Sequence, residues 1–313
     1  MQNVKDFKWR KNISVNDLVN DLGNVGFQSI ELKKAVDTVI RMKKNGAKIF
    51  LTFTSNMVTS GLRGFFAQLI KLGIPDIIVT TVGGLEEDIM KASGEKFSIG
   101  DFSSDDIELH EKGINRIGNL HIRNESYMKF EDTVGSMLKE IYKKEKRWAV
   151  SDMLREFGLM LDDEDSILFQ AAKNNVPIFC PSITDGSMGF QLYMFQDNNK
   201  DFIVDVVKDF SNILFSVSQD DKKGLISLGG SISKHHAILA GLLNGGMDYA
   251  VYMTTASHTS GSMSGATTKE AKSWGKVKDD SDVVTVIGDV TINFPLMMCS
   301  VLEQLSNEGI IKE

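Results

Sequence analysis

Ser257 to Lys276 reads SHTSGSMSGATTKEAKSWGK, a run of small polar residues followed by Glu270, Trp274 and Lys276. Small residues let a ligand approach the backbone closely. An indole face can cover a cation or the apolar stem beside it, and a lysine shielded from water can lose its proton and attack carbon. Taken by itself the segment reads more readily as a Gly/Ser loop ahead of a solvated lysine, which is what most lysines are. A second reactive candidate lies upstream, where His235 and His236 follow Gly230 and Lys234. A histidine opening a helix at a crevice can act as a general base near neutral pH. Adjacent helix positions point in different directions, so at most one of the pair faces a given site, and a structural role is the commoner fate of a lone histidine. Neither has metal-ligand company. Cys180 and Cys299 lie in apolar runs and no HxxxH-type spacing occurs, so no metal is expected.

Six runs rich in β-branched residues read as buried strands: 47–53, 76–81, 176–180, 224–228, 248–253 and 282–287. The chemistry lies in the segments by which the chain leaves these strands. The exits read TSNMVTSG, TTVGGLEED, PSITDGSMG, GGSISKHH, TTASHTSGSMSG and GDVTINFP. Loops with free backbone N–H groups that open onto helix N-termini suit a pyrophosphate, and ligands bind at the carboxyl ends of strands in open parallel sheets. Helix capping favours the same residues, but capping alone is a poor account of so many similar exits, so a nucleotide or dinucleotide site is expected. None of the loops is GxGxxG or a Walker loop. Acids decorate these loops at Glu86, Glu87, Asp185, Glu270 and Asp289. For Glu86–Glu87–Asp88 the plain alternative is dipole compensation in a first helical turn, worth about 0.3–1 kcal/mol.

Between the strands lie helical periods. Phe130, Val134, Met137, Leu138 and Ile141 share one face, as do Phe202, Val206, Phe210, Ile213 and Leu214. The segment 294–302 reads as a buried helix with Pro295 in its first turn. The region 92–148 has no sharp period and reads as an insertion with some helix. The predicted fold is α/β, a Rossmann-like, largely parallel sheet of about six or more strands with helices on both faces. A helical N-terminal extension over 1–45 is expected to precede it, within a single domain spanning 1–313. The chain of 313 residues is 42% hydrophobic with a net charge of −7. There is no basic footprint for nucleic acid, no window near the ~18 apolar residues of a membrane span, and no leader-like N-terminus. A cytoplasmic protein is expected.

Together TSNMVTSG, TTVGGLEED, KGINRIGNLHIRNESYMKFED, TDGSMG, GGSISKHH and EAKSWGKV resemble deoxyhypusine synthase, in the family's order and spacing from about Asp6 to the last helix. The resemblance implies an NAD-dependent transfer of the aminobutyl group of spermidine to one lysine of the translation initiation factor that carries hypusine. It implies that Lys276 forms a covalent imine and that His235 handles the proton. Trp274 and Gly261 would line the polyamine site, with Glu270 pairing an ammonium and Glu86 facing the polyamine. NAD contacts would fall on Ser55, Asn56 and Thr59, on Thr81, Gly83 and Glu87, and on Asp185 and Gly230. Thr255, Ala256, Asp289 and Val290 complete that set. A homotetramer is implied too. Lys276 must be neutral when it attacks, which desolvation by Trp274 would favour.

The chain departs from the eukaryotic pattern of the family, which places polyamine-binding aspartates where Phe190 and Met263 stand here. Each missing carboxylate removes a partner for a desolvated cation. A donor other than spermidine, such as agmatine, therefore stays open. So do a homospermidine synthase-like enzyme with putrescine as acceptor and a catalytically silent NAD-binding paralogue.

Overall fold

The computed structural model describes residues 3–312; Met1, Gln2 and Glu313, the ends of the expected extension and domain, lie outside the described residues. All six expected strands form, with shifted ends. The chain falls into two compact units. The first comprises the residues up to Phe53, Leu72–Val79 and those from Ile213 on; the second comprises Thr54–Lys71 and Thr80–Asn212.

In the first unit the strands Lys48–Phe53 (β1), Ile77–Thr80 (β2), Lys223–Leu228 (β3), Met247–Thr254 (β4) and Val277–Ile287 (β5) lie in the order β5-β4-β3-β1-β2. The registers of β1 on β3, β3 on β4 and β4 on β5 are parallel. Every residue of β3 is buried, as is all of β1 except Lys48, which is why these runs read as continuous hydrophobic stretches rather than alternating ones. The strand order reverses between β1 and β3, the kind of point where such sheets hold ligands. Helices cover both faces of the sheet: Val15–Leu22 (α1), Gln28–Lys44 (α2), Ser231–Leu243 (α3), Thr268–Ser273 (α4) and Val290–Asn307 (α5). α1 and α2 form the expected helical N-terminal segment and pack with α5, while α3 packs on β1, β3 and β4. β5 is longer than expected. It pairs Val277 with Met247, leaves register, and resumes at Asp282 opposite Tyr249, so the polar stretch Lys278–Ser281 is a bulged excursion. α5 begins at Val290 because Asp289 caps it, accepting from the Thr291 N–H at 2.8 Å. Pro295 therefore falls in the second turn, not the first.

In the second unit, helices at Arg63–Lys71, Val82–Ala92, Asn124–Lys144, Val150–Leu159, Ile167–Lys173 and Ser187–Asn198 pack against one another. The region 92–148 holds more order than its sequence suggests: an antiparallel sheet of Ser98–Ile99, Ile114–Ile117 and Leu120–Arg123, followed by the long helix. Phe130, Val134, Met137, Leu138 and Ile141 are all buried on that helix. The neighbouring expectation fails in part. Phe202 is buried but precedes the short strand Ile203–Val204, and the helix starts only at Val206, which is half exposed. Asp205 sets that start by accepting from the Lys208 N–H at 2.8 Å.

A buried ionic knot ties this unit. Asp88, 1% exposed, pairs with Arg63 and accepts from the Ser166 hydroxyl (2.8 Å) and the N–H groups of Ile167 (3.1 Å) and Leu168 (2.8 Å). Asp163 holds the other side of Arg63 at 2.6 Å. Asp88→Ala leaves a buried guanidinium with half its partners and strips the N-terminus of Ile167–Lys173, so unfolding in urea should show a loss of about 3–5 kcal/mol; a loss under ~1 kcal/mol would mean the knot is no more than a surface pair.

Candidate active site

The SWGK segment is a helix stop. Thr267 caps α4 by accepting from the Glu270 N–H at 3.3 Å. At the other end the Gly275 N–H donates to the Lys272 carbonyl and the Lys276 N–H to the Ala271 carbonyl, the paired bonds of a Schellman motif. Gly275 sits at φ +66°, which a side chain would strain. The stop turns the chain so that Trp274 and Lys276 flank the same hollow, and the Lys276 carbonyl then accepts from the Met247 N–H of β4. Lys276 is only 8% exposed, and its ammonium lies 4.9 Å from the centre of the Trp274 ring.

That hollow is a cavity of about 340 Å³ in the first unit. His235, Gly261, Glu270, Trp274 and Lys276 line it together. His236 does not, so one histidine of the pair faces the cavity. Burial, helped by the charge of Lys276, holds His235 below the ordinary histidine range, which leaves it neutral and able to accept a proton near pH 7. His236 is pulled down further, to about 4, by burial and by His235. Glu270 is the sole acid among the lining residues, and Met263 stands on the wall as an apolar residue.

Sequence reasoning missed Lys234 and Tyr252. Lys234 is 1% exposed, donates to the carbonyls of Met263 (3.0 Å) and Ala266 (2.8 Å), and lies 3.9 Å from the centre of the Tyr252 ring. Burial pulls its ammonium down to about 8, with Glu270 opposing and Lys276 adding to the fall. The available signal was the position of Lys234 in the first turn of α3, directly after a loop that packs on its neighbour. Gly230 abuts Ser264 so closely that a Cβ there would collide with it, and the Ser231 N–H donates to the Ser264 hydroxyl at 3.2 Å.

The remaining first-unit candidates lie at strand ends. Thr255 is exposed after β4, the Ala256 N–H is held by the Thr254 hydroxyl at 3.0 Å, and Asp289 and Val290 open α5.

In the second unit, Ser55, Thr59, Thr81, Gly83 and Glu87 come together. The Ser55 N–H donates to the Thr81 hydroxyl at 3.1 Å, the Thr59 hydroxyl donates to Glu87 at 2.6 Å, and a Cβ on Gly83 would stand 2.9 Å from that of Ser55. Asn56 is exposed and bonded to Thr54. Glu86 accepts from the Met188 N–H at 2.7 Å, close under Gly186 in the turn that carries the exposed Asp185. The dipole reading of Glu86–Glu87–Asp88 is overturned, because the first turn of Val82–Ala92 holds no acid and all three are buried in the second. Burial pushes Glu86 above the ordinary carboxyl range, and Glu87 to about 7, against the Thr59 bond and the charge of Lys91.

The model of the family described as deoxyhypusine synthase matches residues 17–301. A protein of Thermoplasma acidophilum named probable deoxyhypusine synthase is 38% identical over 304 residues, covering 96% of this chain and 97% of its own. The deoxyhypusine synthase of Senecio vernalis is 38% identical, covering 94% and 87%. A crystal structure from Entamoeba histolytica bearing the same family name superposes with a TM-score of 0.69 at 28% identity, over 95% of this chain and 96% of that one.

The raised Glu87 makes stability depend on pH. The unfolded carboxyl loses its proton near 4.5 and the folded one near 7, so the folded state binds more protons in that window and stability falls as pH rises through it. The loss is at most about 3 kcal/mol. Glu87→Gln, which keeps an acceptor for Thr59, should flatten this slope and be the more stable protein at pH 8. Parallel urea-denaturation curves for the two proteins from pH 4.5 to 8 would remove the case for a buried, raised carboxyl.

Proposed function

Since the chain belongs to the deoxyhypusine synthase family, transferases that move an aminobutyl group onto a lysine of a translation factor, we propose that it works through an imine on Lys276, with spermidine as donor and NAD as cofactor. The observation that carries this reading is a nearly buried lysine opening into a cavity beside a neutral histidine, a carboxylate and an indole. Glu270 holds an ammonium of the donor. His235 takes the proton that the reacting amine gives up, which its lowered basicity permits without leaving it charged beforehand. Trp274 keeps water from the carbon under attack. Once the donor carbon has given up its hydride and stands as a C=N carbon, the amine of Lys276 adds to it, and 1,3-diaminopropane leaves with the electron pair of the broken C–N bond and the N–H protons of Lys276. The acceptor lysine then adds to the same carbon and releases Lys276.

NAD, when bound, would supply an acceptor for the hydride of the amine carbon and a reductant for the imine on the acceptor lysine. The residues present fit such a group. Gly83 gives Ser55 room to pack against the start of Val82–Ala92, a helix N-terminus of the kind that suits a phosphate, and Glu87 and Asp289 offer carboxylates for ribose hydroxyls. In this reading the cofactor contacts also include Ser55, Asn56, Thr59, Thr81, Asp185, Gly230, Thr255, Ala256 and Val290. Glu86 faces the polyamine, and the working enzyme is a cytoplasmic homotetramer. Among the described residues no helix is long and apolar enough to cross a membrane.

One observation favours a second reading of the donor or acceptor. With Met263 on the wall, Glu270 is the sole lining acid, and Phe190 is 56% exposed on the helix Ser187–Asn198. A donor with a different charged end, such as agmatine, or putrescine as a small acceptor, would need fewer carboxylates.

Borohydride trapping with labelled donor and NAD should mark Lys276 in the wild type and nothing in Lys276→Ala. Label retained by that variant would end the proposal for Lys276. Glu270→Gln should raise KM for the donor roughly tenfold or more. Label reaching the factor's lysine, or only putrescine, decides between acceptors. NAD binding followed by calorimetry should tighten as pH rises through about 7, where Glu87 becomes a carboxylate, and should weaken in Glu87→Ala and Asp289→Ala. Affinity unchanged in both variants would remove these residues from the cofactor site.

A further inference from the structure

Two carbonyl oxygens and the face of an aromatic ring are the groups that an ammonium seeks when it leaves water. The cavity wall offers all three at one point: the carbonyls of Met263 and Ala266 and the ring of Tyr252. Their occupant is the chain's own Lys234, buried to 1% exposure, and no carboxylate is among its hydrogen-bond partners. We propose that Lys234 is a built-in ammonium that fills a ready-made cation site in the cavity wall, and so excludes a substrate ammonium from that wall and leaves Glu270 to set where the amine binds. This rests on the reading of the cavity as an amine site. Lys234 is on this account a positioning residue. Its Nζ ties the loop that carries Met263 and Ala266 to the first turn of α3, alongside the bond from the Ser231 N–H to the Ser264 hydroxyl.

The consequence is a form of specificity. Among the groups that line this cavity a polyamine meets one carboxylate, Glu270, and one cation-repelling wall. Shortening Lys234 opens a second ammonium site on that wall, and an added alkylammonium of the lost length can refill it. A neutral chain of the same length lacks the charge that two carbonyls and a ring face attract.

The test compares Lys234→Ala with Lys234→Met, which fills the space with an apolar chain. Both are assayed by thermal unfolding and by borohydride-trapped label on Lys276. Each is measured with propylammonium chloride, with 1-propanol and with sodium chloride at matched ionic strength. Propylammonium should raise the melting temperature of Lys234→Ala saturably, as binding to the folded state alone requires. It should also restore adduct formation from a loss of roughly tenfold or more. It should do neither for Lys234→Met, and 1-propanol should do neither for either variant. Equal effects of propylammonium and 1-propanol, equal effects on the two variants, or a Lys234→Ala protein that gains no stability at saturating propylammonium would each overturn the proposal. The melting shift does not depend on the transfer reaction. A saturable shift in Lys234→Ala with no label on Lys276 in the wild type would keep the cation site and reject the amine-transfer reading of the cavity.

Discussion

Holding ammonium groups out of bulk water is what the first unit is arranged to do. An isolated buried ammonium is costly, and the cost falls only when oxygen acceptors or aromatic faces replace its hydration shell. For Lys276 the replacement begins with a turn: Gly275, in a conformation that other residues enter at a cost, ends α4 and brings the indole of Trp274 over the ammonium. For Lys234 it comes from two carbonyls and a phenol ring. Lys234 depends on the Gly/Ser-rich loop between β4 and α4. Its small residues pack so tightly that a Cβ on Gly265 would run into the Ser257 backbone. The small-residue composition of this loop is therefore a packing requirement.

The second unit faces the opposite problem with three consecutive acids. Glu86, Glu87 and Asp88 sit on one helix, all nearly buried, yet each meets a different environment. Asp88 has an arginine and three further donors, Glu87 has one hydroxyl and a more distant lysine, and Glu86 has the N–H groups of a glycine-bordered turn. Where donors are plentiful the carboxylate serves stability. Where they are few, burial raises the carboxyl, as at Glu87, and the group keeps unspent capacity to accept hydrogen bonds. Sparse satisfaction is a mark of sites that wait for a ligand.

The β-branched runs revealed every strand of the sheet in the first unit, because buried parallel strands are apolar on both faces and need no alternation to stand out. Their order was not legible, since nothing in a run such as KGLISL says which neighbour it pairs with. The hairpin strands Ile114–Ile117 and Leu120–Arg123 escaped for the converse reason: they are short, polar and half exposed. Acids after a strand were read by position relative to an assumed helix start, and the helix began a turn earlier, at Val82. The candidate residues around Lys276 were legible from their types and spacing. Lys234 was not, because a lysine beside two histidines looks like a solvated neighbour until the loop that covers it has been folded.

The charge balance of the cavity links these features to chemistry. Two lysines and a histidine that stays neutral near pH 7 share the cavity with one glutamate, so a further cation meets more like charge than opposite charge there. That opposition disfavours the charged form of a further amine nitrogen brought into the cavity. His235, held below its ordinary range by the same burial and by Lys276, adds no charge of its own near pH 7. The scarcity of acids leaves Glu270 as the one lining carboxylate against that charge, and the apolar Met263 on the wall adds nothing to its side of the balance.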